Sequence, residues 1–226
     1  MTQRKKCSTH AIVPLHIPKR SKVRLSKVFN KEERARLTLA MLDHVLSTLH
    51  RAHTISSVTV VSADRNARRK VEKRDARFIW EGRNRGLNSA ITLAQRRLKI
   101  EDSSSILVIH ADLPTLSPIE VDSFVRAARH YEVGIAPSKD GSGTNALFLE
   151  TPNLISTVFG RNSFHKHLRL IRKKSLRHKI IRLRGIGFDL DNTNDLQRLI
   201  GSPVRNEVAQ FVRKLDQKRT DHHYES

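Results

Sequence analysis

The chain has 226 residues, 38% apolar and 29% charged, with 9 Gly and 7 Pro, a composition that suffices for one compact domain and excludes disordered, fibrous and low-complexity proteins. Lys and Arg number 43 against 22 Asp and Glu, and the net charge of +21 makes small phosphorylated ligands and nucleic acids both candidate partners. The single cysteine, Cys7, excludes an internal disulfide, and the N-terminal residues lack a signal-peptide or membrane-spanning apolar run, so we expect a soluble cytoplasmic protein.

The predicted strands are short apolar runs that alternate with longer helical patterns. This alternation is typical of an α/β protein whose mainly parallel sheet is covered by helices on both faces. Strands are predicted at residues 11–15, 57–63, 106–111, 133–136, 145–149 and 179–184.

Two of the predicted helices have clear start signals. Asn30 with Glu33 forms the pattern of a capping box, and Ser117 precedes a proline at the first helical position, with Glu120 three residues after the cap. Helices are predicted at residues 30–50, 87–99, from 117, at 164–174, around 196–199 and from 202.

The domain organisation follows from the absence of a linker, an internal repeat or a low-complexity block. We expect one domain over residues 1–201, followed by a C-terminal helix and a frayed basic tail over residues 202–226.

Three aspartates are candidate metal ligands. Asp112 follows an apolar strand, and the carboxyl ends of strands border the ligand crevice in open α/β sheets; the alternative is a turn aspartate. Asp189 and Asp191 lie on one side of the chain if it is extended, and like charges so placed call for a cation. Together the three suit Mg²⁺, which prefers oxygen ligands. The alternative is a capping cluster that, with Asn192, starts the next helix.

Several segments could bind the phosphates of a nucleotide. Lys19, Arg20, Lys22 and Arg24 follow the first strand, although the chain contains no Walker loop, and the alternative is a solvated basic loop. Residues 141–145 and 159–164 contain glycines that let backbone N–H groups approach an anion, the second at a helix start.

The most basic part of the chain is residues 151–188, which contain no Asp or Glu. His165 and His167 are two residues apart, so on a helix they point to different faces and do not form a zinc pair. We interpret them as anion contacts or solvated side chains.

An ordered series of motifs covers residues 11–200. In chain order they are IVP at 12–14, SKVRL at 21–25, GLNSA at 86–90, ADLP at 111–114, GTNAL at 143–147, FGRNSF at 159–164 and DLD at 189–191. In this order they resemble the 2-phospho-L-lactate guanylyltransferase family, which includes the phosphoenolpyruvate and 3-phospho-D-glycerate guanylyltransferases of deazaflavin coenzyme F420 biosynthesis.

The resemblance implies a Rossmann-like, nucleotide-diphospho-sugar transferase-like fold, GTP as the donor and Mg²⁺ as the cofactor. It implies that the metal is held by Asp112, Asp189 and Asp191. Nucleotide-binding positions are expected at Pro14, Lys22, Arg24 and Asn88, and acceptor-binding positions at Thr144, Gly160 and Ser163. Within these sets, Asp112, Lys22 and Arg24 are expected to be catalytic.

The chain departs from the family pattern in two motifs. Ser21 and Val23 stand where the family usually has an alanine and a Ser or Thr, and SKDGSGTN at 138–145 replaces a DRxGxGTN pattern. The second departure removes an Asp–Arg pair beside the expected acceptor site.

The implied reaction transfers GMP from GTP to the phosphate of 2-phospho-L-lactate, phosphoenolpyruvate or 3-phospho-D-glycerate and releases pyrophosphate. Expected partners are GTP, the phosphorylated acid and a downstream transferase that consumes the product; a homodimer is a further candidate, and no membrane partner is expected. Two alternatives stay open, a nucleic-acid-binding protein on a transferase-like fold and a nucleotidyltransferase with another phosphorylated acceptor.

Overall fold

The computed structural model describes residues 8–15, 23–98 and 104–224, and describes side chains for residues 8–15, 24–98 and 104–217. These residues form one seven-stranded sheet and its covering helices. The strands are β1 (Thr9–Leu15), β2 (Ile55–Ser62), β3 (Arg77–Trp80), β4 (Ser105–Ile109), β5 (Val133–Pro137), β6 (Thr144–Leu149) and β7 (His178–Ile180). The helices are α1 (Lys31–Arg51), α2 (Arg68–Glu72), α3 (Leu87–Leu98), α4 (Pro118–Ala128), α5 (Ser163–Lys173), α6 (Arg184–Gly187), α7 (Thr193–Ile200) and α8 (Glu207–Tyr224).

The sheet has the order β3-β2-β1-β4-β6-β5-β7 and is parallel except for β6, which runs antiparallel to both β4 and β5. The predicted α/β class with a mainly parallel sheet is therefore confirmed. Crossover helices join the parallel strands, whereas the short link from β5 to β6 forms a hairpin, because a parallel return needs a longer connection.

Helices cover the sheet on both faces, and alternate residues of a strand are therefore buried on opposite sides of it. Ala11 and Val13 of β1 belong to a core shared with α1, α2 and α4, whereas Ile12 between them belongs to a core shared with α3 and α5. All three side chains are fully buried.

A third apolar cluster lies beside the carboxyl end of β1. It joins Leu25 from a 3-10 turn, Leu37 of α1, Leu190 from the segment between α6 and α7, and Val212 of α8. Each of the four is 0% exposed. Because Leu190 lies between the two DLD aspartates, this cluster anchors the segment that carries them. Through this cluster the helix α8 packs on α1. That residues 202–226 form a unit separate from the domain of residues 1–201 stays a prediction.

The predicted helix starts at Asn30 and Ser117 are confirmed. The Asn30 side chain accepts from Glu33 N–H, and the Glu33 carboxylate accepts from Asn30 N–H, which completes the capping box. Ser117 caps α4 by accepting from Glu120 N–H. The Glu120 carboxylate accepts from the Ser117 hydroxyl at 3.1 Å and, through its other oxygen, from the N–H of Gly185 at 2.7 Å. This contact joins α4 to α6.

Several predicted bounds are wrong. The strand predicted at residues 179–184 ends at Ile180, and the helix α6 begins at Arg184, the last residue of that predicted strand. The last helix starts at Glu207 instead of residue 202, and its backbone is helical to Tyr224. Within the described residues, no helix has the length and apolar character needed to cross a bilayer.

Candidate active site

A cleft of about 860 Å³ opens at the carboxyl end of the parallel strands. Its walls come from the ends of β1 and β4, the start of β6, the loop before α5 and the segment between α6 and α7. This is the crevice position that open α/β sheets use for ligands. Its polar and charged lining side chains are Arg24, Thr38, His110, Asp112, Ser138, Lys139, Asp140, Ser142, Thr144, Asn145, Arg161, Asn162, Ser163, Asp189, Asp191, Asn192, Asn194, Asp195 and Arg198.

The structure brings the three candidate metal ligands to one side of this cleft. Asp112, Asp189 and Asp191 all line it, and Leu190 N–H donates to the Asp112 carbonyl at 3.2 Å, which ties the two segments together. Burial, reinforced by the negative charges of Asp112 and Asp191, raises the pKa of Asp189 to about 6. The site thus holds carboxylates whose mutual repulsion a cation would relieve.

The donor set fits a magnesium ion that is bound together with a phosphate ligand. Over the described parts of the chain, no three His, Cys, Asp or Glu side chains lie close enough to enclose a metal ion by themselves. Mg²⁺ usually takes only one or two carboxylates, with waters and substrate phosphates supplying its other ligands. Carboxylate oxygens of the three aspartates therefore fit Mg²⁺ better than a metal that needs a complete protein cage.

The capping alternative holds for the residues next to the DLD motif. Asn192 accepts from the N–H groups of Asn194 and Asp195, and Asp195 accepts from those of Asp191 and Asn192. Asp195 thus helps to start α7, and it also lines the cleft, whereas the carboxylates of Asp189 and Asp191 make none of these capping bonds. The helix cap and the candidate metal ligands are therefore adjacent in the sequence.

The three predicted acceptor positions lie together in the same cleft. Thr144 N–H donates to Ser163 Oγ at 2.9 Å, and Ser163 N–H donates to the Gly160 carbonyl at 3.0 Å. Gly160 has a φ of +119°, a conformation that side-chain-bearing residues rarely adopt. The first strand residue of β6 and the first turn of α5 therefore form one hydroxyl-bearing wall.

The loop between β5 and β6 is organised by Asp140, which the sequence analysis did not single out. Its carboxylate accepts from Ser138 Oγ at 2.5 Å and from the Ser142 N–H and Oγ at 3.0 and 2.7 Å. These bonds lower its pKa to about 2. An aspartate two residues before a serine in a Gly-rich loop is the sequence signal of such an Asx-type turn.

Only some of the predicted nucleotide-binding positions line the cleft. Pro14 and Arg24 line the cleft, and Lys22 lies outside the described residues with Lys19 and Arg20. Asn88 does not line the cleft; its amide donates to the Phe159 carbonyl at 3.1 Å and accepts from Phe159 N–H at 2.8 Å.

Asn88 therefore fixes the start of the 159–164 loop through both halves of its amide. Its direct contact with a nucleotide stays a prediction, whereas its bonds to the loop that contains Gly160 and Ser163 are a feature of the structure.

The interpretation of His167 as solvated or anion-binding is wrong. Its side chain is 0% exposed, packed edge-on against Phe159 at 4.9 Å between ring centroids, whereas His165 is exposed. Phe164, Leu168 and Ile171 are buried on the same helix, so the helical spacing of this apolar stripe was the missed signal.

His110 is a second histidine that the sequence analysis missed. It lines the cleft, its Nδ1 lies 3.9 Å from Asp112 Oδ1, and its ring centroid lies 5.3 Å from that of Phe159. It comes two residues before Asp112, at the same strand end, and this position was its only sequence signal.

Comparison with solved structures places the fold among the nucleotide-diphospho-sugar transferases. A Desulfovibrio desulfuricans G20 protein described as such a transferase superposes with a TM-score of 0.74 at 16% identity, covering 93% of this chain and 96% of that chain. A 4-diphosphocytidyl-2C-methyl-D-erythritol synthase superposes with a TM-score of 0.60 at 14% identity, covering 85% and 97%.

The chain belongs to the family described as "Guanylyl transferase CofC like", whose model matches residues 9–223. The phosphoenolpyruvate guanylyltransferase of Sphaerobacter thermophilus is 32% identical over 87% of this chain and 95% of its own. The 2-phospho-L-lactate guanylyltransferase of Methanocaldococcus vulcanius is 32% identical over 90% of both chains. The family named from the sequence motifs is thereby confirmed.

Proposed function

We propose that this protein transfers GMP from GTP to the phosphate of a three-carbon phosphorylated acid and releases pyrophosphate. Candidate acceptors are phosphoenolpyruvate, 2-phospho-L-lactate and 3-phospho-D-glycerate. The first two are the substrates in the names of its relatives, and the product would serve coenzyme F420 biosynthesis.

The observation that carries this proposal is that two kinds of group line one cleft. The carboxylate residues Asp112, Asp189 and Asp191 line it, and so do the hydroxyl-bearing residues Thr144 and Ser163. A nucleoside triphosphate with a cation suits the carboxylates, and an anionic acceptor suits hydroxyl donors. A cleft that offers both can hold two phosphorylated molecules at once, as a transfer between phosphates requires.

The transfer needs no protein base. The second pKa of a phosphate monoester is about 6, so the acceptor is largely dianionic at neutral pH and its oxygen can attack directly. That oxygen forms a bond to the α-phosphorus of GTP while the bond from the α-phosphorus to the β-phosphate oxygen breaks. Pyrophosphate leaves with the bonding electrons, and GMP stays joined to the acid through a diphosphate.

The protein accelerates this step by positioning and by charge. Arg24, which lines the cleft, and Lys22, which precedes it in the sequence, would hold the β- and γ-phosphates of GTP. Thr144 and Ser163 would orient the acceptor. Asp112, Asp189 and Asp191 would hold Mg²⁺, whose positive charge would offset the charge on the phosphate oxygens.

The test is an assay of pyrophosphate release. The purified protein is incubated with Mg²⁺ and GTP and with each of the three acids in separate reactions, in the presence of a transferase that consumes the product. We expect release that depends on the acid, with one acid preferred. No release with any of the three acids, from folded protein that binds GTP, would contradict the proposal.

The same preparation distinguishes the two alternative functions. Release with a different phosphorylated acceptor would support another nucleotidyltransferase chemistry. Tight binding of RNA or duplex DNA that weakens steeply with salt, in a protein that releases no pyrophosphate, would support the nucleic-acid-binding alternative.

A further inference from the structure

A chain of hydrogen bonds ends at Thr144, one of the residues that orient the acceptor in the proposed function, on which this inference rests. His167 of α5 lies behind Thr144, away from the bulk solvent, and both side chains are essentially inaccessible, at 0% and 1% exposure. The imidazole Nδ1 lies 3.0 Å from Thr144 Oγ1, and its Nε2 lies 3.0 Å from the backbone nitrogen of Val158. Both ring nitrogens therefore have defined partners.

The partner of Nε2 decides which nitrogen carries the proton. The Val158 N–H can only donate, so Nε2 must present its lone pair and cannot itself be protonated. The ring also hydrogen-bonds to the Ser163 carbonyl, which can only accept. The Val158 contact requires the neutral ring with its proton on Nδ1, and the Ser163 carbonyl is compatible with that form.

Burial agrees with a neutral ring. It lowers the pKa of His167 to about 4, and the nearby His110 acts in the same direction. The ring is thus uncharged throughout the neutral pH range, and its tautomer does not change there.

The tautomer of His167 in turn fixes the hydroxyl of Thr144. Because Nδ1 carries a proton, Thr144 Oγ1 accepts from the ring and cannot donate to it. The hydroxyl proton of Thr144 must therefore point to another acceptor, and the cleft that Thr144 lines is the place where an anionic ligand would supply one.

We propose that His167 is a positioning residue that holds the Thr144 hydroxyl as a donor toward an anionic oxygen of the phosphorylated acid. The imidazole does not touch the acceptor. Because its Nδ1 carries a proton, the Thr144 hydroxyl cannot donate its own proton to the ring. The acceptor thus meets a hydroxyl already turned toward it, which lowers the cost of ordering on binding.

Two substitutions separate the two nitrogens of His167. His167→Gln places a carbonyl oxygen where Nε2 accepts from Val158, but it has no donor at the Nδ1 position. His167→Asn places an amide donor near the Nδ1 position and loses the Val158 contact. The exposed neighbour on the same helix provides a matched control, His165→Gln.

We expect His167→Gln to raise the KM for the acid on the order of ten-fold, the low end of the range for a hydrogen bond to a charged group, because the Thr144 hydroxyl is no longer held toward the acid. The KM for GTP is expected to stay unchanged. His167→Asn is expected to raise the acid KM less. In a Thr144→Val background, His167→Gln is expected to add no further change, because the hydroxyl that His167 orients is already absent. Thermal unfolding of each variant identifies a loss that comes from unfolding alone.

Equal acid KM values for the Gln and Asn variants, or effects that add in the double variant, would overturn the positioning role. An independent measurement uses ¹⁵N NMR of the imidazole in the wild-type protein without substrate. The Nδ1–H tautomer is expected between about pH 6 and 8, and the Nε2–H tautomer or a charged ring would overturn the inference.

The two proposals can fail separately. A wild-type protein that uses none of the three acids contradicts the proposed function, and the acceptor part of this inference with it. Turnover by the wild type together with an unaffected acid KM in His167→Gln contradicts the positioning role alone.

Discussion

Asp112 lies where the strand β4 turns into the cleft, beside Asp189 and Asp191, and the proposed reaction needs its charge at the transferring phosphates. Asp112→Asn keeps the size of the side chain and removes the charge. We expect kcat to fall by roughly 10²–10³, the range found when one preorganised electrostatic contact is removed, with small changes in the two KM values.

The matched control for this change is Asp75→Asn, which alters an exposed aspartate in a left-handed turn where asparagine is well tolerated. The control is expected to keep full turnover. Wild-type kcat in Asp112→Asn, measured by steady-state pyrophosphate release, would contradict the metal assignment.

Asp189 provides a prediction about stability. Its pKa is raised to about 6 in the folded protein, above its ordinary value of 3.8, so the folded state binds the proton more tightly than the unfolded state. The free energy of unfolding therefore falls as pH rises from about 4 through about 6, and the charged carboxylate costs roughly 2–3 kcal/mol at neutral pH.

Asp189→Asn removes that cost and can keep the contact to the Asn145 amide, which lies 3.4 Å from Asp189 Oδ1. Without divalent metal at about pH 7.5, we expect the variant to be the more stable by up to about 3 kcal/mol. The difference should shrink toward zero near pH 4. Denaturant unfolding at several pH values measures it, and a variant that is less stable at pH 7.5 would contradict the account.

At the scale of elements, the contact between α4 and α6 positions the DLD segment. Gly185 N–H donates to Glu120, and a Cβ on Gly185 would meet the Glu120 carboxylate and lie 2.6 Å from the Thr115 carbonyl. Gly185→Ala should therefore lower the free energy of unfolding by about 1–3 kcal/mol, because the backbone must shift.

The same substitution is expected to reduce turnover, since α6 directly precedes Phe188 and Asp189. Gly201→Ala is the control, because a Cβ there meets its nearest atom at an ordinary 3.5 Å. Unchanged unfolding and turnover in Gly185→Ala would show that α6 does not position the site.

The elements that the sequence predicted are those determined by local signals. The caps at Asn30 and Ser117 and the position of Asp112 after an apolar strand are short-range features, and the structure contains all three. The strand β3 was missed because it has four residues and an exposed Arg77 and Trp80, so no apolar run marks it.

Other features depend on contacts between distant parts of the chain. The helix α6 is joined to Glu120, which lies 65 residues earlier, and no local pattern shows that partner. The buried His167 and the amide of Asn88 both act on the 158–159 backbone, again through contacts that spacing alone does not reveal. The antiparallel direction of β6 did have a signal, the short Gly-containing link from β5.

At the scale of the whole molecule, the net charge of +21 is far larger than one anion site needs. Such a field attracts phosphorylated substrates of any kind, and salt screens it. We expect kcat/KM for GTP to fall several-fold between about 0.05 and 0.5 M NaCl, with kcat itself nearly constant. A kcat/KM for GTP that is independent of salt would show that the excess charge does not serve substrate capture.

The proposed function requires that an oxygen of the acceptor phosphate attacks the α-phosphorus of GTP. An acceptor with ¹⁸O in its phosphate oxygens is reacted with unlabelled GTP in the absence of the consuming transferase, and the guanylylated acid and the pyrophosphate are analysed by mass spectrometry. We expect all of the label to stay in the guanylylated acid, including the oxygen that bridges the two phosphorus atoms, and the pyrophosphate to be unlabelled. Label in the pyrophosphate, or a product without labelled bridging oxygen, would contradict guanylyl transfer to the acceptor phosphate.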